Sequence, residues 1–151
     1  MSRSTAQIPA VMGLMLALGA CATTPQVTKP LSGSTWRLVE LQSMDDAQGT
    51  TRPGNRDQYT LEFNSNGTAF LKLDCNRART SWNAKRTGLT QGTLEFGQLA
   101  STMALCNDNG LSARLNSQLG FVRTYLLRDG RLNMSLMADG GIIVWERTGS
   151  N

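Results

Sequence analysis

The sequence predicts a mainly β domain: an antiparallel sheet of about seven or eight strands, curled or barrel-like, with one helix. Short runs with apolar residues at every second position recur along most of the chain, the period of a strand with one buried face. Clusters of Gly, Asn and Asp separate those runs at hairpin spacing. A single stripe of leucines at helical spacing interrupts them and places one helix in an otherwise all-β order. A meander of so many strands has two edges to protect, and pairing the first strand with the last removes both.

From Gly33 onward the elements follow in order. Residues 36–41 mix Trp36, Leu38 and Val39 with Arg37 and Glu40 and form the first strand. Residues 43–57 are polar, hold Gly49, Pro53 and Gly54, and read as a long exposed loop. Tyr59, Leu61 and Phe63 then alternate with Thr60, Glu62 and Asn64. Asn66-Gly67 supplies a turn that tolerates positive φ, and Ala69, Leu71, Leu73 and Cys75 alternate on the return.

Residues 80–85 around Trp82 and residues 94–96 after Gly92 form two further short strands. After Cys106, one of Asn107, Asp108 or Asn109 can cap a helix over residues 112–119, with Leu111, Leu115 and Leu119 on one face. That stripe reads as core. Residues 122–127 and 132–137 flank Asp129-Gly130 as a second hairpin, and Asp139-Gly140-Gly141 turns into a last strand at residues 142–146. Trp36, Tyr59, Phe63, Leu71, Leu73, Phe96, Leu126, Leu136 and Ile143 are the expected core.

Residues 1–20 have the build of a secretory signal: one positive charge at Arg3, then an apolar run from Ile8 to Ala20. The run is too short for the roughly 20 apolar residues that a hydrocarbon core of about 30 Å demands of a helix. It ends in Leu18-Gly19-Ala20-Cys21, which resembles the lipobox of a bacterial lipoprotein signal peptide. The resemblance implies cleavage before Cys21, which then carries a diacylglycerol and an N-acyl chain. Acyl chains contribute on the order of 0.8 kcal/mol per buried CH₂, and several together anchor firmly. Ala22, where an Asp would signal retention at the inner membrane, is similar to the pattern sorted to the outer membrane. The expectation is an outer-membrane lipoprotein facing the periplasm, with the leaflet left open. Residues 21–30, with Pro25, Lys29 and Pro30, read as a tether, and residues 31–151 as one domain.

The net charge of the 151-residue chain is +4, a mild basic bias that carries little nucleic-acid signal. Histidine is absent, which removes the commonest general base and the commonest neutral metal ligand. A serine nucleophile would need a lysine base, and Lys29, Lys72 and Lys85 stand in no Ser-x-x-Lys pattern. Asp45-Asp46 lies in the polar loop and reads as a solvated turn rather than a glycosidase dyad or calcium site. No cofactor, metal or nucleic-acid partner is expected.

Five blocks recur in order: Leu31-x-Gly33-x-x-Trp36-x-Leu38, Phe63-x-x-x-Gly67, Cys75-Asn76-Arg77 followed by Ser81-Trp82, Thr102-x-x-x-Cys106, and the closing hairpin of residues 132–145. In that order and spacing the chain resembles the META domain, the family that includes the HslJ-like lipoproteins. Asp74, Ala78 and Thr80 stand where small glycines often flank the family's Cys-Asn pair. The resemblance implies a compact β-rich domain linked to envelope stress and, in some members, to virulence. It carries over no reaction and no catalytic residue.

Cys75 and Cys106 are too far apart for a compact metal motif, and Cys21 is taken by the lipid; in an exported protein a Cys75–Cys106 disulfide is the better reading. Arg77, Arg79, Lys85 and Arg86 lie within ten residues, interleaved with Trp82. They form a candidate patch for an anionic envelope component, such as lipopolysaccharide phosphate, or for an acidic envelope protein. The alternative is a solvated strand edge that uses charge against aggregation. The functional expectation is a membrane-anchored, non-catalytic binding or envelope-stress support module. A lysozyme-inhibitor-like lipoprotein is the alternative, matching in size and build but lacking that family's motif blocks. A periplasmic hydrolase is a more distant one, since no nucleophile and base can be named for it.

Overall fold

The structure, a computed structural model, describes residues 30–148. The strands are β1 (Ser34–Gln42), β2 (Thr50–Thr51), β3 (Tyr59–Phe63), β4 (Thr68–Leu73), β5 (Asn76–Arg86), β6 (Gln91–Phe96), β7 (Ala100–Ser101), β8 (Val122–Arg128), β9 (Arg131–Leu136) and β10 (Ile142–Arg147). One α-helix, α1 (Leu111–Gln118), runs on into a 3₁₀ turn, Leu119–Phe121. Eight of the strands form an antiparallel ring in the order β1-β3-β4-β5-β6-β8-β9-β10, and β10 returns to pair with β1 from Trp36–Arg147 to Gln42–Ile142. The two-residue strands β2 and β7 lean on β1 and β5. The expected curled or barrel-like sheet is thus a closed barrel.

Period-two patterning decides which residues fill it. Along β5, Asn76, Ala78, Thr80, Trp82 and Ala84 point inward, while Arg77, Arg79, Ser81, Asn83 and Lys85 face solvent. Eight strands enclose a space that side chains alone can fill. Here Leu38, Leu41, Leu61, Phe63, Leu73, Leu94, Leu132, Met134 and Trp145 are fully buried within it. Phe63 sits at the centre of an aromatic group, edge-on to Trp82 at 4.9 Å and stacked on Phe96 at 6.0 Å. Gly92 on β6 is required by packing: a Cβ there would lie 2.1 Å from the Lys85 carbonyl and 2.8 Å from the Tyr125 ring.

The turns follow from local chemistry. Asp129 and Gly130 both adopt positive φ, 51° and 70°, the geometry whose twist matches a two-residue hairpin. The expected alternation through Cys75 stops one turn early. Leu73 pairs with Asn76, so Asp74 and Cys75 are the hairpin loop, and Asp74 takes the left-handed conformation at φ 56° that glycine would otherwise supply. The loop of residues 43–57 is mostly exposed, but gives up Thr50–Thr51 to pair with β1 and residues 56–58 to a 3₁₀ turn.

Of the expected core, Trp36, Tyr59, Phe63, Leu71, Leu73, Phe96, Leu136 and Ile143 are buried, and Leu111, Leu115 and Leu119 join them from the helix. Leu126 does not. A register shift between Val122 and Thr124 changes the phase of β8, so Val122 and Tyr125 point inward and Leu126 faces outward, half-buried.

Two unlike ends result. At one, Pro30 leads into β1, β10 terminates, and short turns join β3 to β4, β5 to β6 and β8 to β9. At the other lie α1 and the longer connections of residues 43–58, 97–121 and 137–141. These are called the Pro30 end and the helix end below. Because Leu115 is fully buried where α1 closes the helix end, Leu115→Ala should cost about 2–5 kcal/mol. Leu126→Ala should cost well under half as much in the same urea titrations. A larger loss at Leu126 than at Leu115 would contradict the packing described.

Candidate functional site

Cys21 lies outside the described residues. Cys75 and Cys106 are joined by a disulfide, with Cα atoms 5.7 Å apart. Beside it the buried Asn76 side chain organises the segment that carries Cys106. Asn76 Nδ2 donates to the Ala104 carbonyl at 2.9 Å, and its Oδ1 accepts from the Ala104 amide at 2.8 Å and from the Thr102 hydroxyl at 2.9 Å. Thr102 Oγ1 in turn accepts the Arg77 amide at 3.0 Å, and the Thr102 amide donates to the Arg77 carbonyl at the same distance. The Cys75-Asn76-Arg77 and Thr102-x-x-x-Cys106 blocks therefore meet as one corner. Sequence reasoning paired the cysteines but missed Asn76 and Thr102, whose only signal was their fixed place beside them.

Next to this corner Asp108 anchors the start of α1. Its Oδ2 accepts the Ser112 amide at 2.6 Å and the Tyr59 hydroxyl at 2.8 Å, and its Oδ1 accepts the Gly110 amide at 3.1 Å. Of the three cap candidates it alone does this, from three residues before Leu111, while Gly110 takes the left-handed position at the boundary. Burial pushes the Asp108 pKa up, but the hydrogen bonds from Ser112, Tyr59 and Gly110 outweigh it and hold the carboxyl below its ordinary value. Burial first, then the Asp108 carboxylate, raises Tyr59 above the ordinary phenol range. Asp74, Cys75 and Cys106 bring one carboxylate and two sulfurs within 4.8 Å of one another. The sulfurs are bonded to each other and so are not thiolate ligands.

The basic segment of β5 is exposed at Arg77, Arg79, Lys85 and Arg86. Trp82 corrects the expected patch: it points into the barrel, 3% exposed, and its indole nitrogen donates to the Asn64 and Thr68 carbonyls. An even-numbered neighbour of exposed odd positions on a strand must face the other way. The four cations are also not one cluster. Arg77 and Lys85 stand eight residues apart on an extended strand, roughly 26 Å. Arg79 lies over the exposed Phe70 ring at 6.0 Å, and Arg77 donates to the Asp74 and Asn76 carbonyls.

Topology gathers other charges that sequence order scatters. Lys85, Arg86, Arg128, Arg131 and Arg147 are exposed around the Pro30 end, which has Asp129 among its turns. The remaining aspartates, Asp45, Asp46, Asp57, Asp74, Asp108 and Asp139, all lie in connections of the helix end. A pocket of about 340 Å³ opens at the Pro30 end between Leu31, Trp36 and Leu127 on its floor and Arg128, Arg131 and Arg147 on its walls. The Arg147 guanidinium lies over the Trp36 ring at 5.6 Å.

Side chains elsewhere are spent on structure. Glu40, 9% exposed, pairs with Arg52 at 2.7 Å and accepts from Gln42 at 2.6 Å, which together keep its pKa low, the Gln42 bond foremost. Arg37 bridges Asp57 and Glu146 across β1 and β10. Asn76→Ala leaves both backbone groups of Ala104 without their partner and should cost on the order of 2 kcal/mol. Reducing the disulfide, which closes a separation of 31 residues, should cost about 3–4 kcal/mol in the same denaturant titration. If neither change moves the midpoint, the corner is not structural.

The stability profile with pH has a sign fixed by these groups. The Asp108 contribution is present above the ordinary carboxylate range and is lost as pH falls through its lowered value; Tyr59 costs stability as pH rises beyond about 10, where the unfolded phenol ionises first. Asp108→Asn should therefore flatten the acid limb, read by thermal midpoints between low and neutral pH. An unchanged acid limb would contradict the assignment.

Comparison with solved structures confirms the architecture. The fold matches an NMR structure of a protein from Burkholderia xenovorans with a TM-score of 0.62 at 19% identity, covering 97% of this chain and 100% of that one. It also matches the crystal structure of a DUF4847 family protein from Bacteroides vulgatus, with a TM-score of 0.54 at 12% identity over 80% of this chain and 96% of that one. At such identities the likeness is one of fold. No curated protein matches the chain in sequence. The family model described as META domain matches residues 29–148, the whole barrel with its disulfide corner, and the chain belongs to the META domain family.

Proposed function

We propose that the protein is an envelope lipoprotein, anchored through Cys21 in the outer membrane with its barrel in the periplasm, and that it acts as a non-catalytic binding or envelope-stress support module. The observation that carries this is the join between a lipobox-like stretch and a closed barrel: Leu18-Gly19-Ala20-Cys21 stands only nine residues ahead of Pro30, where the barrel begins. A lipid at Cys21 would hold a rigid, disulfide-stapled domain against a membrane surface.

The non-catalytic part rests on chemistry. The sequence has no histidine. The buried Glu40 is ion-paired, and Asp108 is occupied by a helix start, so neither is a carboxylate poised to take a proton. The barrel interior is filled by Trp145, Phe63 and the leucines around them, which leaves the surface to do the work.

Replacing Cys21 by Ser should abolish acyl labelling and move the protein from the membrane to the soluble fraction of the envelope. Persistent labelling of that variant, or a mature chain beginning elsewhere, would contradict the anchor. Turnover of a cell-wall or lipid substrate that depends on one serine or carboxylate would contradict the non-catalytic reading.

A further inference from the structure

We infer that the Pro30 end of the barrel is a docking surface for an anionic lipid headgroup layer, with the pocket walled by Arg128, Arg131 and Arg147 at its centre; the inference rests on the anchor at Cys21. Charge is the first support. Lys85, Arg86, Arg128, Arg131 and Arg147 surround this end, and none of them takes part in an ion pair among the described residues. Asp129 is the acid among its turns; Glu62 and Glu146 stand one residue back from the rim, and Glu146 is already held by Arg37 at 2.8 Å and Arg56 at 3.2 Å. The opposite end sets six aspartates, one of them held by Arg37, against Arg52, Arg56, Arg77, Arg114 and Arg123, so that end is close to neutral while this one is positive. The barrel is thus polarised along its axis, and a negative surface orients it with the Pro30 end inward.

Shape agrees, and one bare apolar side chain lies among these cations, although Met44, Met103, Leu105, Phe121 and Met137 are exposed at the helix end. The β5–β6 turn places Leu89 at the tip of this end, 95% exposed, and the Leu127 amide bonds the Thr90 carbonyl at 2.7 Å, so the tip sits beside Arg128 at the end of β8. A bare leucine flanked by cations suits the interface between headgroups and acyl chains. Arg forks match phosphate oxygens, and the Leu31, Trp36 and Leu127 floor gives the pocket of about 340 Å³ an apolar base for the glycerol side of a headgroup.

Reach is the third support. Nine residues from Cys21 to Pro30 set an upper limit of about 32 Å of chain between a lipid at Cys21 and this end. A lipid at Cys21 would therefore hold the end from which Pro30 leads nearer the headgroups than the helix end, and screening over about 8 Å at physiological ionic strength makes docking a matter of close approach. Tethering makes docking an intramolecular step, in which modest contacts suffice.

The test uses the acylated protein purified from membranes and reconstituted into vesicles of phosphatidylethanolamine with phosphatidylglycerol, or of phosphatidylcholine alone. Flotation with the vesicles reads the anchor; amide hydrogen exchange reads docking. Exchange in the 86–91 and 127–131 turns should slow on the order of tenfold on the anionic vesicles, stay fast on the neutral ones, and return in high salt. The combined Arg128→Glu, Arg131→Glu, Arg147→Glu variant should float but lose this protection, as should Leu89→Asp in part, whereas Arg77→Glu with Arg79→Glu should keep it. Circular dichroism checks that each variant is folded, and Leu89→Asp, at a bare turn tip, leaves the core untouched. Flotation with equal exchange on both vesicles overturns the docking surface while leaving the anchor standing. Failure to float overturns the anchor itself. Protection that appears only when an acidic envelope protein is added assigns the surface to that partner and overturns the lipid reading.

Discussion

The pairing of β10 with β1 is the contact on which the rest depends. Those strands join residues 100 to 111 apart in the chain, with Trp36 opposite Arg147 at one limit and Gln42 opposite Ile142 at the other. Without it the sheet would present two long edges to neighbouring chains; with it the edges vanish and the inward faces of eight strands share one core. Closure also fixes what the protein can do. The interior is packed with Trp145, Phe63, Met134 and seven or more leucines, so a ligand of the proposed binding module would meet the outer wall or one of the two ends.

The ends divide the remaining work. The helix end is where the chain wanders, and it is fastened by concentrated chemistry: the Cys75–Cys106 bond, the Asn76 amide that grips Thr102 and Ala104, and the Asp108 carboxylate that gathers Tyr59 and the first turn of α1. The Pro30 end needs no such fastening because two-residue and four-residue turns close it, and its exposed side chains are left available. Arg147 stacked over Trp36 is part of the wall that results. A rigid scaffold with a fastened end and a charged one is well suited to being held at a surface in a single orientation.

Much of the fold was legible because period-two alternation survives wherever one face is buried: Tyr59, Leu61 and Phe63, or Leu132, Met134 and Leu136, identify their own strands. Leu126 was misread because a bulge near Val122 shifts the phase, and nothing local in the sequence marks that shift. Cys75 was misread because an aspartate, rather than a glycine, makes the turn before it. Trp82 was counted with its charged neighbours by proximity in sequence, although strand alternation puts it on the opposite face. The rim at the Pro30 end was not legible as a group for a different reason: Lys85 and Arg86 were read with Arg77 and Arg79, while Arg128, Arg131 and Arg147 come from other stretches, and only the order of strands brings these five to one rim.

The proposed orientation of the barrel at a membrane is measured directly by neutron reflectometry of the protein, carrying the proposed lipid at Cys21, on a supported bilayer containing phosphatidylglycerol. The predicted profile has protein density contiguous with the headgroups, the Pro30 end innermost and the helix end outermost, with a solvent gap opening as salt is raised. A hydrated gap of tether length already present at low salt, or the helix end lying against the headgroups, would contradict it.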